Sequence, residues 1–349
     1  MKKYFFLFVL IFLFPSHTFA NTFLQTKIDG ITLKVIQYDL SSENYELKVG
    51  VSDTATTLEN LMLDNNGVSA VNGIFFCPSD YSECKGTSFT INERYVQGEK
   101  IAFYDDTGER VVYGWNKNKE PMLFQTGKIN ADKENEIFEG FANFPLLMKD
   151  GENMLEHYYD VGLIDKKMRA VSTRNFVCND EKKENIYFGL VYGVSLDDLI
   201  TVLSKFGCYD ALNLDAGKST AFIYNGRYLV GPQRNILDGL IIERKGLNVK
   251  EINEEAKKLS QKILSKINKK SLETKLTLLE NIDKKLTDAR GIIYTKYSND
   301  IYDDNQSIVG YKIEIENLNI LKKLYTINAL QNYNKSQIQK IKEEIKNKK

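Results

Sequence analysis

Histidine is nearly absent from these 349 residues: there are two, His17 and His157, and only the second lies beyond the first twenty positions. Ser–His and Cys–His nucleophile pairs would have to rest on His157 alone and are not the expected chemistry, nor are zinc sites built on several imidazoles. His157 alone reads as a surface or hydrogen-bonded residue. There is one tryptophan, five prolines and no net charge, with 47 Lys/Arg balanced by 47 Asp/Glu. A strongly basic face for nucleic acid is missing. The four cysteines contain no CxxC pair, which leaves a metal site a weak reading. Beyond residue 20 no apolar run approaches the ~20 residues of a membrane span.

What is present begins with a leader. Met1-Lys2-Lys3 is followed by an apolar run from Tyr4 to Pro15 and by Thr18-Phe19-Ala20 before Asn21. A basic start, a short apolar core and a small residue at the cleavage point describe a secretory signal peptide over residues 1–20. The alternative, an uncleaved anchor, stays open. The expected location is periplasmic, secreted or cell-surface. Export makes disulfides possible. Cys77 and Cys84 bracket a polar loop that a bridge would staple, and Cys178 and Cys208 sit at the ends of neighbouring apolar runs.

Charge and periodicity divide the remainder into two modules, residues 21–245 and 246–349. From Gly246 on there are 21 Lys/Arg against 14 Asp/Glu, so the first module is net acidic. It reads as short strands with few helices. Ile31–Ile36 and Tyr45–Val51 alternate with period two, as half-buried strands do. Thr57–Asp64 is expected to be a short helix with Leu58, Leu61 and Met62 inward, and Ser69–Phe76 a buried strand. Residues 116–140 are polar and read as loop. Gly140–Gly151 is a strand closed by an Asp-Gly turn; Met168–Cys178 and Ile186–Tyr192 are further strands. Ser195 caps an amphipathic helix ending at Gly207, with Asp197 and Asp198 in its first turn. Gly239–Ile242 lies in a closing strand. The second module turns to period 3.6, with Ile252–Ile267, Leu272–Leu286 and Leu318–Ile345 as coiled-coil-like helices. The expected fold is α+β: a mixed, largely antiparallel sheet domain packed with helices, followed by an α-helical appendage for oligomerisation or envelope docking.

Between the Ser195 helix and the last strand runs Asn213-Leu-Asp215-Ala-Gly217-Lys-Ser219-Thr220. Its Gly-Lys-Ser-Thr looks like the end of a phosphate loop. A P-loop needs glycine where Leu212 stands and must open a helix, whereas Ala221–Tyr224 is a strand leading to an Asn225-Gly226 hairpin turn. No nucleotide is expected. The segment instead delivers a carboxylate to a strand end followed by a small-residue turn. As a residue in isolation, Asp215 reads first as a turn-capping carboxylate on the Gly217 or Lys218 N–H, ahead of a catalytic role.

Several segments together resemble the phosphodiester glycosidase family. Asn72-Gly73-Ile74-Phe75-Phe76 matches its N-G-x-F-F element, and Asn213 to Thr220 matches N-L-D-G-G-G-S-S-T with two alterations and one residue fewer. Gly193-Val-Ser195-Leu matches G-x-[ST]-L, the late arginine is Arg234, and the mid-chain arginine is Arg174 or Arg169. The resemblance spans residues 25–245. It implies hydrolysis of a sugar C1–O bond with a phosphodiester leaving group, on a sugar-phosphate or glycan substrate. Ordinary glycoside hydrolysis and non-catalytic glycan binding are the alternatives. The implied roles are Asp215 as base or electrostatic stabiliser and Arg174 with Arg234 as a phosphate clamp. Ser219, Thr220 and Lys218 would assist, Asn72 would bind a sugar substituent, and Gly73, Asn213, Gly217 and Asp238 complete the expected substrate contacts. No cofactor is called for, and a divalent metal stays open. Ala216 and Lys218 stand where the family has glycine, which points to a shifted substrate or lost catalysis.

Overall fold

A computed structural model describes residues 21–101, 110–125, 131–231, 233–302 and 307–348; the expected leader, residues 1–20, lies outside the described residues. Strands β1 (Thr22–Ile28) and β2 (Ile31–Asp39) meet at Asp29-Gly30, both at positive φ as a tight hairpin turn requires. β3 (Tyr45–Thr56) continues five residues past the expected Val51. Thr57 caps α1 (Leu58–Asp64) by accepting from the Asn60 N–H, and Leu58, Leu61 and Met62 are buried as expected. β4 (Gly67–Asn72) is buried at every position. The strand expected to reach Phe76 stops at Asn72, because Gly73 turns aside to bond Asp238 and Asp215.

The next loop carries the short pair β5 (Phe76–Cys77) and β6 (Phe89–Thr90), with Cys77 and Cys84 disulfide-bonded between them. β7 (Arg94–Val96), β8 (Glu99–Ile101) and β9 (Val111–Asn116) follow. The loop expected over residues 116–140 instead holds β10 (Pro121–Gln125), the short helix α2 (Ala131–Glu134) and the start of β11 (Ile137–Asn143). These elements are too short to show periodicity, so polar composition hid them.

β12 (Leu146–Lys149) turns at Asp150-Gly151 into β13 (Glu152–Asn153), and α3 (Leu155–Asp160) carries the exposed His157. α4 (Lys166–Arg169) then takes residues expected to begin a strand: Asp165 accepts from the Met168 N–H and caps a helical turn. β14 (Ser172–Asn179) starts only afterwards and pairs with β15 (Asn185–Val194). α5 (Leu196–Phe206) begins in a capping box between Ser195 and Asp198 and ends at Gly207. β16 (Asp210–Leu214) is followed by a single 3-10 turn at Gly217–Ser219, then β17 (Phe222–Tyr224), β18 (Arg227–Val230) and β19 (Ile236–Arg244). The Cys178–Cys208 bond ties β14 to the three-residue link between α5 and β16.

The final stretch contains α6 (Val249–Ile267), α7 (Leu272–Tyr297), β20 (Ser298–Tyr302), β21 (Ile308–Ile313) and α8 (Leu318–Asn347). The three helices match the 3.6-residue pattern. The β20–β21 hairpin was not anticipated, and it does not stand alone: β21 pairs with β1.

Every strand pairing among the described residues is antiparallel. A nine-stranded sheet runs β13-β12-β16-β14-β15-β2-β1-β21-β20, and a five-stranded sheet runs β18-β17-β4-β19-β3. One hydrophobic core joins them, with Leu33, Val35, Phe176, Phe188 and Leu212 from the first sheet and Val71, Phe222, Leu240 and Ile242 from the second. A third sheet, β10-β9-β11-β7-β8, contributes Val111, Tyr113 and Phe141 to the same core. Alternating inward residues from facing sheets explain why the strands read as period-two patterns. α8 rests on the β17–β18 turn: the Asn328 amide donates to the Asn225 carbonyl, and the Tyr325 ring fills the space where a Cβ on Gly226 would stand.

Candidate active site

The nine-stranded sheet and the β18-β17-β4-β19-β3 sheet meet where β16 and β4 end, and main-chain bonds join them there. The Asp215 N–H donates to the Gly73 carbonyl at 2.9 Å, and the Gly73 N–H donates to the Asp238 carbonyl at 3.0 Å. Asn72 locks the junction from below. Its amide donates to the Asp215 carbonyl at 2.8 Å, while its side-chain oxygen accepts from the Ala221 N–H at 2.9 Å and from the Asn175 amide. One asparagine thus ties β4, β14, the end of β16 and the entry to β17. A second layer repeats the device: the Asn143 amide donates to the Asn213 carbonyl, and its oxygen accepts from Asn92 and from the Phe75 N–H. Buried amides with both ends engaged fix a loop more rigidly than apolar packing can.

These bonds leave the Asp215 carboxyl half-buried at the head of the Gly217–Ser219 turn. Its Oδ1 accepts from the Ala216 N–H at 2.8 Å. Burial pushes its pKa up from 3.8 to about 7, against the downward pull of Ser219, the Ala216 N–H and the Arg234 charge. The nearby Asp238 carboxyl adds a smaller upward push. Only Gly217 in the turn has positive φ, at 64°, whereas Ala216 is extended at φ −135°. Glycine is therefore retained at the position that requires it, and alanine at 216 costs no backbone strain.

Beside this turn opens a cleft of about 810 Å³ whose lining includes Lys218, Arg234, Ser79, Asp80, Thr87 and Ser88. Arg234 donates to Asp80 at 2.8 Å and lies 5.1 Å from the Tyr81 ring centre; Lys218 stands 3.8 Å from the same carboxylate. Asp80 and Tyr81 belong to the loop stapled by Cys77–Cys84. Pro78, Ser79, Thr87 and Ser88 make that loop one wall of the cleft.

The structure brings Asp215, Gly217, Lys218 and Arg234 to this region and sets the other expected residues behind it. Asn72 is 1% exposed with both amide atoms committed, so it organises the junction and has no atom left for a sugar. Gly73 is spent on backbone bonds, and a Cβ there would come within 2.2 Å of the Asp238 carboxylate. Asp238 is buried, accepts from the Ile74 N–H and pairs with Arg94 at 3.5 Å; burial raises its pKa to about 6 against the pull of Arg94. Asn213, Ser219 and Thr220 are likewise buried under the turn. Arg174 lies one step beyond the Asn175–Leu214 pair, level with Asp215, but its guanidinium donates to the Met168 and Ala170 carbonyls. Arg174 and Arg234 are thus engaged by different partners and do not form the expected paired clamp. Arg169 caps its own turn through the Ile164 carbonyl.

Asp80, Arg94 and Asn143 escaped the sequence reading. Asp80 had a signal, since it stands between two bridgeable cysteines. Arg94 and Asn143 had none, because their partners come from strands 144 and 70 positions away.

The sequence profile of a family described as phosphodiester glycosidase matches residues 65–244, just over half of the chain and all of the junction described above. The chain belongs to the phosphodiester glycosidase family. No curated protein sequence matches it. Among solved structures it is similar to the catalytic domain of zebrafish N-acetylglucosamine-1-phosphodiester alpha-N-acetylglucosaminidase, auto-inhibited by its pro-peptide. Identity there is 17% and the TM-score 0.49, covering 66% of this chain and 85% of that one. It is also similar to a hypothetical protein from Synechocystis at 14% identity and TM-score 0.46, covering 64% of this chain. The chain spans 62% of the Synechocystis protein's length. As a phosphodiester glycosidase family member it has glycosidase-like hydrolase character, and among the described residues the junction and its cleft bring the Asp215 carboxyl near the Lys218 and Arg234 cations. Among the described residues no group of three or more His, Cys, Asp or Glu side chains is placed to hold a metal ion. The two disulfides suit an oxidising compartment.

Proposed function

We propose that this phosphodiester glycosidase family member hydrolyses the glycosidic bond of a sugar-1-phosphodiester, as an exported enzyme acting on a cell-envelope glycan or glycoconjugate. The observation that carries the reading is the pairing of Asp215, held at a strand end by main-chain bonds, with the Arg234 and Lys218 cations of the adjoining cleft. Cleavage of a C1–O bond develops positive charge at C1 and negative charge on the departing phosphate oxygen. A carboxylate beside C1 and cations on the phosphate stabilise both ends of that charge separation. Asp215 acts at the anomeric carbon, taking a proton from the attacking water or stabilising the oxocarbenium-like carbon. The C1–O electrons leave on the phosphate, and the products are a free sugar and a phosphomonoester. Since phosphate is a good leaving group, the scarcity of histidine and of a dedicated acid is no obstacle.

Arg234 serves as the principal phosphate ligand, with Lys218 as an exposed second cation. Arg174 supports the reaction by fixing the α4–β14 connection, not by contacting phosphate. The altered turn favours catalysis over a purely binding role, because it keeps Gly217 and loses only glycines the backbone does not need. The test compares wild type with Asp215→Asn on N-acetylglucosamine-1-phosphodiester and on an ordinary aryl glycoside. Hydrolysis of the first substrate that collapses in the variant is expected. Equal, nonzero rates would remove Asp215 from the chemistry, and turnover of the aryl glycoside alone would replace the substrate class.

A further inference from the structure

Asp80 stands among groups that would otherwise serve a phosphate. It faces both cations of the cleft, accepting from Arg234 at 2.8 Å with Lys218 at 3.8 Å. The Cys77–Cys84 bond closes its loop at the base, so its position is built in. Arg234 is itself held by the Tyr81 ring on the same loop and is 14% exposed. Asp53 also lines the cleft but forms no ion pair with either cation among the described residues. Of the charges paired with one another in the cleft, two are positive and one, Asp80, is negative; Asp53 on the lining and Asp215 beside it add further negative charge. A phosphodiester carries one negative charge, whereas a phosphomonoester approaches two above its second pKa of ≈ 6.

We infer that Asp80 is a specificity-determining residue that offsets one cation, so that the site loosens its hold on the doubly charged monoester more than on the singly charged diester. The inference rests on the phosphodiester reading above. It gives the carboxylate a task that a simple clamp would not need: the reaction raises the charge on the bound phosphorus group, and Asp80 turns that increase into repulsion. Product departure follows from charge, without a moving lid.

The effect is modest, because Asp80 and Lys218 are solvent-exposed and water weakens each interaction. Removing the charge in Asp80→Asn should strengthen anion binding by about threefold per unit of ligand charge. Calorimetric titration at pH 8 and low salt, with dimethyl phosphate and inorganic phosphate as probes, reads this directly. Dimethyl phosphate should bind the variant about threefold tighter and inorganic phosphate about tenfold tighter, while Asp80→Glu keeps the wild-type ratio. Equal gains for both anions, no binding of either to either protein, or the same shift from Asp53→Asn would overturn the inference. The two readings separate cleanly. Turnover with an unchanged anion ratio removes the role of Asp80 alone; an altered ratio without turnover of any phosphoglycoside removes the glycosidase reading and keeps the charge selection.

Discussion

Replacing Asp215 by asparagine should stabilise the protein in alkali while it abolishes turnover, and the size of the gain follows from the carboxyl's surroundings. Burial raises its pKa from 3.8 to about 7, so the folded chain holds a proton that the unfolded chain has already released. Between about pH 4 and pH 7 stability therefore falls as pH rises, and above pH 7 the full cost of ionising Asp215 is present. At about 1.4 kcal/mol per tenfold change in proton affinity, that cost is about 4 kcal/mol. Asparagine keeps an oxygen to accept from the Ala216 N–H but never ionises. Urea unfolding should show the two proteins matching best below about pH 4, where the carboxyl is protonated in both states, and the gap in the variant's favour widening by about 2–3 kcal/mol between pH 5 and pH 8. Asp238, whose pKa burial raises to about 6, titrates in both and largely cancels from the difference. In parallel, wild-type kcat/KM should climb with pH through about 7 as the carboxylate forms, and the variant should fall by about 10²–10⁴ in kcat. A stability difference that is the same at pH 5 and pH 8 would refute the reasoning, since it would mean Asp215 ionises as freely in the fold as outside it.

Other substitutions test the frame around it. Gly73→Ala places a methyl group 2.2 Å from the Asp238 carboxylate and should cost about 1–3 kcal/mol by thermal or chemical unfolding. Asp238→Ala leaves the buried Arg94 without its ion pair and should cost about 3–5 kcal/mol, whereas an exposed pair such as Lys205–Asp29 should cost under about 1 kcal/mol when broken. Asn72→Ala strips three hydrogen bonds from the junction and should lower both stability, by about 2–4 kcal/mol, and kcat, read from unfolding curves and turnover on the same samples. Joint replacement of Cys178 and Cys208 by alanine opens a 30-residue separation and should cost about 4 kcal/mol in urea, with added reductant then making no further difference through that pair.

Much of the fold was legible because its signals are local. Ser195 with Asp198 announced α5, and the positive-φ pairs Asp150-Gly151 and Asn225-Gly226 announced their turns. The cysteine pairs followed from their positions at loop and strand ends. Two kinds of structure were not legible. Strands of three to five residues in polar segments, such as β10, carry too few alternations to stand out, and the edge strand β20 and its neighbour β21 have mixed polarity. The second kind is side-chain commitment. Asn72 and Asp238 sit in motifs that suggest contact with a ligand, yet their atoms are consumed by Ala221 and Asn175 in the first case and Ile74 and Arg94 in the second, all distant in sequence from the residue they bind. A motif names the residues around a site; only the packing separates those that face the cleft from those that hold it in shape.

The junction of β1 with β21 has a consequence for how the chain assembles. Thr26 on β1 bonds the carbonyl of Val309, 283 positions later, and the Tyr224 hydroxyl reaches the Ile313 carbonyl from the second sheet. The largest sheet is therefore fastened between two far-apart stretches of chain, like a strap through a buckle. Until β21 arrives, one edge of β1 offers unpaired N–H and C=O groups to any other extended strand. Pairings of such long range are slow to form, so the interval is not brief. Once the buckle is closed, fraying at β1 must also release β21 and loosen the bond that Tyr224 makes just beyond the Asp215 turn. The helical region thereby becomes part of the timing and the durability of a site it does not touch.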